Sequence, residues 1–354
     1  MAASAISFQV MKHCDVAFLR PGLVTEIECR GWTPGAHLRH AAVRGPRENK
    51  ATREVVQETT AENAKDMPPK CSVALTHADR IYWPEAGITK AKLADYYLKV
   101  WPLVAPFIVH RPLALLRCPE GISGACFFQK HAWRGMSKAI RQVDDPKERG
   151  DEHYVAIDDL DGLFGLVQGG VLEIHPWGST LDAWEKPDMV NMDLDPGPDV
   201  SWESVIEAAQ EVRGRLADMG LTGFVKTTGG KGLHVVAPLK PKTEWPAVKA
   251  AMKAIAEAMA SDSPERYVAT VSKAKRKGKI LVDYLRNGRG ATAVAPYSPR
   301  AREGAPVSMP LTWEELTATI GPAHFTIANI GSRLAQLAAD PWKDFRAAQA
   351  VLSY

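Results

Sequence analysis

Two periods of apolar residues interleave along this chain. Recurrence at three and four positions marks amphipathic helices, and alternation at two marks half-buried strands. Thr89 precedes Lys90-Ala-Lys-Leu-Ala-Asp-Tyr-Tyr-Leu, which predicts an N-capped helix ended or kinked by Pro102. Ser201 predicts the cap of a helix over Trp202–Met219, stopped at Gly220, and residues 245–260 predict an Ala-rich helix. Thr222–Lys226 and Leu233–Pro238 read as strands flanking a glycine-rich, hairpin-like loop. Strand patterns also cover Val171–Trp177, the run at Val190–Asp195, and Lys279–Tyr284. The N-terminal part differs. Residues 15–57 read as a short β-rich piece, with Ala17-Phe-Leu, a period-two run over Leu23–Cys29, and a Pro34-Gly35 turn. Residues 58–72 are polar and proline-containing, as a linker is. No internal repeat interrupts this order, so the pattern predicts a mixed α+β chain.

Composition narrows the class. At 45% apolar and 24% charged residues, the chain has the balance of a soluble globular protein. No apolar run reaches the roughly 20 residues that span a bilayer. The N-terminus carries no basic n-region and no clear cleavage site, so a cytoplasmic location is expected. Five cysteines without a C-x-x-C pair argue against a zinc site or a disulfide framework. A net charge of +3 says little, but its distribution says more. Between Val271 and Arg302 lie Lys273, Lys275, Arg276, Lys277, Lys279, Arg286, Arg289, Arg300 and Arg302, with Asp283 the only acid. Such a field suits a triphosphate or a nucleic-acid backbone, although a solvated basic loop would read the same way.

The chemistry concentrates in three places. In Val190-Asn-Met-Asp-Leu-Asp-Pro-Gly197, residues i and i+2 of a strand share one face, so Asp193 and Asp195 point into the same space. Two carboxylates that close repel unless a cation sits between them, and oxygen donors suit Mg²⁺ or Mn²⁺. An Asp-rich turn at a strand end is the plainer alternative. Asp283 breaks into the apolar run Ile280-Leu-Val-Asp-Tyr, where a buried acid needs a metal or a cation. Three acids on two strands match the ligand set that holds two divalent ions for phosphoryl or nucleotidyl transfer. Lys226-Thr-Thr-Gly-Gly-Lys-Gly-Leu-His234 supplies glycines, a hydroxyl and a lysine for phosphate oxygens, or a simple hairpin turn. It is not a Walker A loop, because Lys231 is followed by Gly232. His175, on its apolar strand, is either a core residue or a further site residue.

Asp193-x-Asp195, Thr228-Gly-Gly-Lys231-Gly-x-His234 and Val282-Asp283-Tyr, in that order and spacing, resemble the polymerase domain of bacterial DNA ligase D. That domain belongs to the archaeo-eukaryotic primase superfamily, and the resemblance runs from about Leu75 to Trp342. It implies an α+β fold over 73–354, with a primase-type, RRM-like catalytic palm, flanking helices and a second mixed sheet. It implies template-directed addition of nucleotides, preferably ribonucleotides, to DNA ends and gaps in non-homologous end joining. Asp193, Asp195 and Asp283 would then be catalytic and hold two ions, Mn²⁺ or Mg²⁺ with Mn²⁺ favoured. His175, Thr228, Lys231, Arg276, Arg300 and Arg302 would contact the incoming NTP or dNTP. Arg80 and Lys90, in Thr76-His-Ala-Asp-Arg-Ile-Tyr-Trp-Pro and Gly87-Ile-Thr-Lys, would bind the DNA 5′-phosphate, and Phe127 and Phe128 would meet the template. The implied partners are DNA with a 5′-phosphorylated break or gap, Ku and a DNA ligase, with no membrane, in a nucleoid-associated cytoplasmic setting.

Two departures from the family matter. Thr228 stands where the family usually has Ser, and its β-branching narrows the rotamers of a retained hydroxyl, so nucleotide affinity is expected to shift. Residues 18–50 look like the tail of a ligase oligonucleotide-binding domain without the K-x-D-G adenylation motif, so nick sealing is not expected. Residues 1–57 read as a remnant of a longer fused parent, or as the end of a neighbour kept by a separately encoded polymerase. A primase that starts without a primer, and a non-catalytic scaffold joining DNA ends to Ku and a ligase, are the competing functions.

Overall fold

The computed structural model describes residues 71–148 and 150–352, together with two strands nearer the N-terminus. The chain divides between Pro68 and Pro69, inside the stretch expected as a linker, into two compact units. In the first, Thr25–Glu28 (β1) pairs antiparallel with Ala42–Pro46 (β2). Ala17-Phe-Leu, the Pro34-Gly35 turn and linker residues 58–70 lie outside the described residues.

The second unit begins with the antiparallel pair Ile81–Trp83 (β3) and Ile88–Thr89 (β4), followed by the helix Lys90–Ile108 (α1). Thr89 caps α1 as its position predicts, its hydroxyl accepting the Lys92 N–H at 3.3 Å. Pro102 does not end the helix, which runs through Pro102 and Pro106 to Ile108. Each proline removes an intrahelical bond at a cost of about 3 kcal/mol. Burial of Leu93, Tyr97, Val100, Val104 and Ile108 on one face, all fully buried, offsets that cost.

A smaller sheet follows: Leu113–Arg117 (β5), Phe127–Gln129 (β6), Arg141–Val143 (β7) and Tyr154–Ala156 (β8). After the helix Leu160–Gln168 (α2), Val171–Pro176 (β9) pairs antiparallel with β5. β5 and β6 pair with Arg117 opposite Phe127, which places Cys118 and Cys126 across the hairpin with Cα atoms 4.4 Å apart. They form a disulfide, which corrects the expectation from cysteine spacing. The pairing depends on strand register, and eight residues of separation in sequence do not reveal it.

The larger sheet has six strands in the order β13-β14-β10-β12-β11-β15. These are Met189–Pro196 (β10), Phe224–Thr227 (β11), Leu233–Pro238 (β12), Tyr267–Val268 (β13), Ile280–Asp283 (β14) and Pro310–Leu311 (β15). Helices Trp202–Asp218 (α3) and Trp245–Asp262 (α4) flank it, and Ile330–Gln336 (α5) lies near the C-terminus. Ser201 caps α3 through a bond from the Ser204 N–H at 3.2 Å. On β10 the alternation is clean. Val190, Met192 and Leu194 join Val205, Val212 and Leu216 of α3 and Val248 and Met252 of α4 in one core. Asn191, Asp193 and Asp195 therefore share the face turned away from that core. Among the described residues, no helix is long and apolar enough to cross a membrane.

Candidate active site

β10 is central, and its two neighbours decide what surrounds the acids. Asp193 is opposite His234 on β12 and opposite Asp283 on β14, while Asp195 is opposite Leu281. Two of the three predicted acids thus form a direct cross-strand pair, an arrangement that destabilises like charges unless a cation intervenes. Arg286 intervenes: its Nε lies 3.3 Å from Asp193 Oδ2 and 3.6 Å from Asp283 Oδ2. Asp195, nearly half exposed, instead accepts from Arg276 Nη1 at 2.8 Å. Beside the acids, Gly232 ends the glycine-rich loop against β10. A Cβ there would lie 1.9 Å from the Leu194 carbonyl oxygen, so only glycine allows this approach.

Hydrogen bonds set the Asp193 side. Asn191 Nδ2 donates to His234 Nδ1 at 3.2 Å, which leaves Nε2 as the protonated nitrogen facing Asp193 Oδ1 at 3.4 Å. Asn287 holds the strand from the other side: its Oδ1 accepts the Asn191 N–H at 2.7 Å and its Nδ2 donates to the Asn191 carbonyl at 2.8 Å. That side chain continues the backbone pairing where β14 stops at Asp283. Lys226, on β11, is buried and donates to Ser308 Oγ at 2.7 Å.

The acids differ in their protonation. Burial alone would raise Asp193, but His234, Arg286 and Lys226 outweigh it and hold the carboxyl at about 2. Burial raises Asp283 against the Leu285 N–H and Arg286, and the Asp193 charge adds to the rise. One shared guanidinium thus fully stabilises only the first carboxylate to ionise, as expected for a close like-charged pair. His234 is pushed down to about 4 by burial and then by Lys226, and Lys226 lies well below the ordinary lysine range because it is buried.

In donor chemistry the site fits a divalent ion, because three carboxylates offer hard oxygens on one face. Among the described residues, however, no three His, Cys, Asp or Glu side chains converge on one point to hold a metal. Arg286 spans the gap between Asp193 and Asp283, and Arg276 draws Asp195 aside. Metal binding here requires both guanidinium groups to yield.

The glycine-rich loop is built by its own hydroxyl. Thr228 Oγ1 accepts from the N–H groups of Gly230 at 3.2 Å and Gly232 at 3.3 Å, and donates to the Gly232 carbonyl at 3.0 Å. Lys231 and Arg302 are exposed. Arg300 packs on the turn, its Nη1 donating to the Thr228 carbonyl at 2.6 Å, and the Arg302 guanidinium lies near Gly230. His175 is buried on β9, where burial lowers it despite the Glu173 carboxylate beside it. The structure therefore gathers Thr228, Arg300 and Arg302 around one turn, ties His175 to it through Glu173 and Arg300, and holds Arg276 at Asp195.

The other predicted residues lie just before β3 (Arg80), at the start of α1 (Lys90) and on β6 of the smaller sheet (Phe127 and Phe128). Arg80 and Lys90 adjoin, the Lys90 N–H donating to the Arg80 carbonyl at 2.8 Å. Lys90 is buried, with Nζ bonded to the Thr76 carbonyl at 2.9 Å and to Gln168 Oε1 at 2.8 Å. Arg80 Nη1 is held by the Pro119 carbonyl and by Glu120. Phe127 and Phe128 do not pack in a core, being 44% and 60% exposed. Phe128 meets the His175 ring edge to face at 5.4 Å, which joins the aromatic pair to the turn region. Sequence reasoning gave no role to Arg286, Asn191, Asn287, Lys226 or Glu173. Asn191 and Glu173 carried a usable signal, each lying two positions before a named residue on the same strand face.

Residues 89–342 match the family described as LigD, primase-polymerase domain. The multifunctional non-homologous end joining protein LigD of Pseudomonas aeruginosa is 37% identical over 347 residues, 94% of this chain and 41% of that protein. The protein of the same description from Mycolicibacterium smegmatis is 32% identical over 246 residues, 69% of this chain and 32% of that protein. This chain therefore spans well under half the length of these relatives. The polymerase domain of Mycobacterium tuberculosis ligase D, solved in complex with DNA, superposes with a TM-score of 0.72 at 29% identity, covering 78% of this chain and 99% of that one. The α+β architecture of two sheets with flanking helices is the one the motifs implied. By family match, by identity and by fold, this chain belongs to the LigD primase-polymerase domain family.

Proposed function

We propose that this chain is a template-directed nucleotidyltransferase that adds nucleotides, ribonucleotides by preference, to the 3′ end of DNA at 5′-phosphorylated gaps and breaks. The observation that carries this reading is the pairing of Asp193 with Asp283 on adjacent strands, beside Asp195 and the glycine-rich turn. The polymerase domain of Mycobacterium tuberculosis ligase D is described in complex with DNA, which supports DNA as the partner. Ku and a sealing DNA ligase complete the proposed setting.

Each group has a role that follows from its chemistry. Lys231, Arg276, Arg300 and Arg302 neutralise the triphosphate, with the arginines offering forked donors to its oxygens. The Thr228 hydroxyl keeps the turn closed by accepting the Gly230 and Gly232 N–H groups, so that the loop presents one shape, with Lys231 at its tip, to the nucleotide. Asp193, Asp195 and Asp283 are the residues that would hold Mn²⁺ or Mg²⁺, which supplies activation of a 3′-hydroxyl and neutralisation of departing pyrophosphate when bound. His234 and Asn287 keep Asp193 and its strand in place. Phe127 and Phe128 offer exposed rings on which a template base stacks, a contact worth about 1–3 kcal/mol per base. Arg80 and Lys90 mark the place of the 5′-phosphate, where Arg80 must exchange its Glu120 contact for the ligand.

The test is extension of a gapped duplex with and without a 5′-phosphate, with ribo- and deoxynucleotides and Mn²⁺, alongside Asp193→Ala. Templated addition that is stronger with the phosphate and with ribonucleotides, and abolished in the variant, is the expected result. DNA binding without any extension by the wild-type protein would overturn the catalytic reading and leave the scaffold.

A further inference from the structure

Glu173 sits two positions before His175 on β9, a strand buried along its whole length. Its side chain is 4% exposed, yet both carboxylate oxygens are occupied. Oε2 accepts from His175 Nε2 at 2.8 Å and from Arg300 Nε at 2.9 Å, and Oε1 accepts the Ala301 N–H at 2.8 Å. Burial opposes ionisation here, but His175, Arg300 and the Ala301 N–H hold the carboxyl down at about 2. An acid ionised this firmly can only accept, so His175 must donate from Nε2 and leave Nδ1 as its acceptor.

The same carboxylate governs Arg300. Nε goes to Glu173 and Nη1 to the Thr228 carbonyl, so the guanidinium plane is fixed at two points and its remaining N–H groups keep one direction. The Arg300 carbonyl is fixed as well, accepting the Trp83 indole N–H at 3.2 Å. Through His175 the constraint reaches Phe128, whose ring meets the imidazole at 74°. A buried carboxylate serving only as a core ion pair has no need to tie the arginine that grips the glycine-rich turn to a histidine that meets an exposed aromatic ring. A fork held before its ligand arrives loses less freedom on binding.

We propose that Glu173 is a positioning residue of the nucleotide site: it sets the plane of Arg300, so that its free N–H groups meet the incoming triphosphate preoriented, and it fixes the protonated nitrogen and ring orientation of His175 beside it. It does not touch the nucleotide itself. This inference rests on the nucleotidyltransferase reading above, and it deepens that reading by one residue.

Extension kinetics on the gapped, 5′-phosphorylated duplex with varied ATP test it, comparing Glu173→Gln with the wild-type protein. The amide keeps the shape but turns one acceptor into a donor facing His175 or Arg300. The expected result is a rise of about tenfold in KM for ATP, equivalent to about 1.4 kcal/mol, with duplex affinity unchanged. In an Arg300→Ala background, the same substitution should raise KM far less. An unchanged KM overturns the proposal, and so does an equal rise in both backgrounds. A second measurement needs no Glu173 variant: ¹⁵N spectra of histidine-labelled wild-type protein, with His175 assigned from His175→Ala. An Nε2–H tautomer at His175 supports the proposal, and an Nδ1–H tautomer overturns it. Should the wild-type protein fail to extend DNA, the functional reading falls, while the tautomer still decides whether Glu173 holds His175.

Discussion

Replacing Arg286 with methionine isolates the charge problem at the centre of the larger sheet. Its Nε stands 3.3 Å and 3.6 Å from the two carboxylates that face each other across β10 and β14. At an effective dielectric of 20, each contact is worth about 5 kcal/mol before solvent is considered. Arg286 is 44% exposed, so screening and side-chain entropy remove most of that, leaving a net of about 1 kcal/mol per contact. Both contacts together give about 2 kcal/mol, and for a unit of this size about 2–4 °C accompany each kcal/mol. Arg286→Met should therefore lower Tm by roughly 4–8 °C in EDTA. The same substitution leaves Asp193 and Asp283 without their cation, and a divalent ion is the natural replacement. Mn²⁺ at about a hundred times its Kd would return about 2.7 kcal/mol. The wild-type protein should gain less, because there Mn²⁺ must first displace the guanidinium. Thermal melts of both proteins in EDTA and in Mn²⁺ read this without any activity measurement. An equal Tm for the two proteins in EDTA, or an equal Mn²⁺ shift in both, would refute the argument.

Other substitutions test neighbouring steps. Gly232→Ala places a Cβ 1.9 Å from the Leu194 carbonyl oxygen and should cost more than about 2 kcal/mol in urea unfolding. Gly214→Ala, inside α3 with nothing within 4 Å of the added carbon, should instead stabilise by about 0.5–1 kcal/mol. Phe128→Ala should weaken template binding by about 1–3 kcal/mol in fluorescence anisotropy and leave Tm nearly unchanged, since the ring is 60% exposed. Glu173 supplies a pH dependence. Its folded carboxyl lies at about 2, below the ordinary 4.5, so the unfolded chain binds more protons between those values. The stability it contributes is present above pH 4.5 and is lost as pH falls toward 2. Urea midpoints across that window should fall less steeply in Glu173→Gln than in the wild-type protein.

What could be read from the sequence was whatever depends on neighbours along the chain. Thr89 and Ser201 cap their helices because a cap needs only the next three residues. Asp193 and Asp195 share a face because strand alternation requires it, and Asp283 stood out as an acid in an apolar strand. What could not be read depends on register and on packing between distant segments. Cys118 meets Cys126 only because Arg117 pairs with Phe127, and α1 survives Pro102 only because its buried face holds. Glu173 reaches Arg300 across 127 residues, and Arg286 reaches Asp193 across 93. The Thr76 and Gln168 partners of the Lys90 ammonium were likewise not visible from the chain around it. These misses share one cause. A residue type states what a side chain can bond to, while the fold decides which partner arrives first. In this chain the partners that arrive first are largely other protein groups: Arg286 between two aspartates, Glu120 on Arg80, the Gly232 carbonyl on Thr228. A substrate or an ion must therefore compete with a bonded arrangement, and affinity at each subsite reports the difference between two sets of contacts.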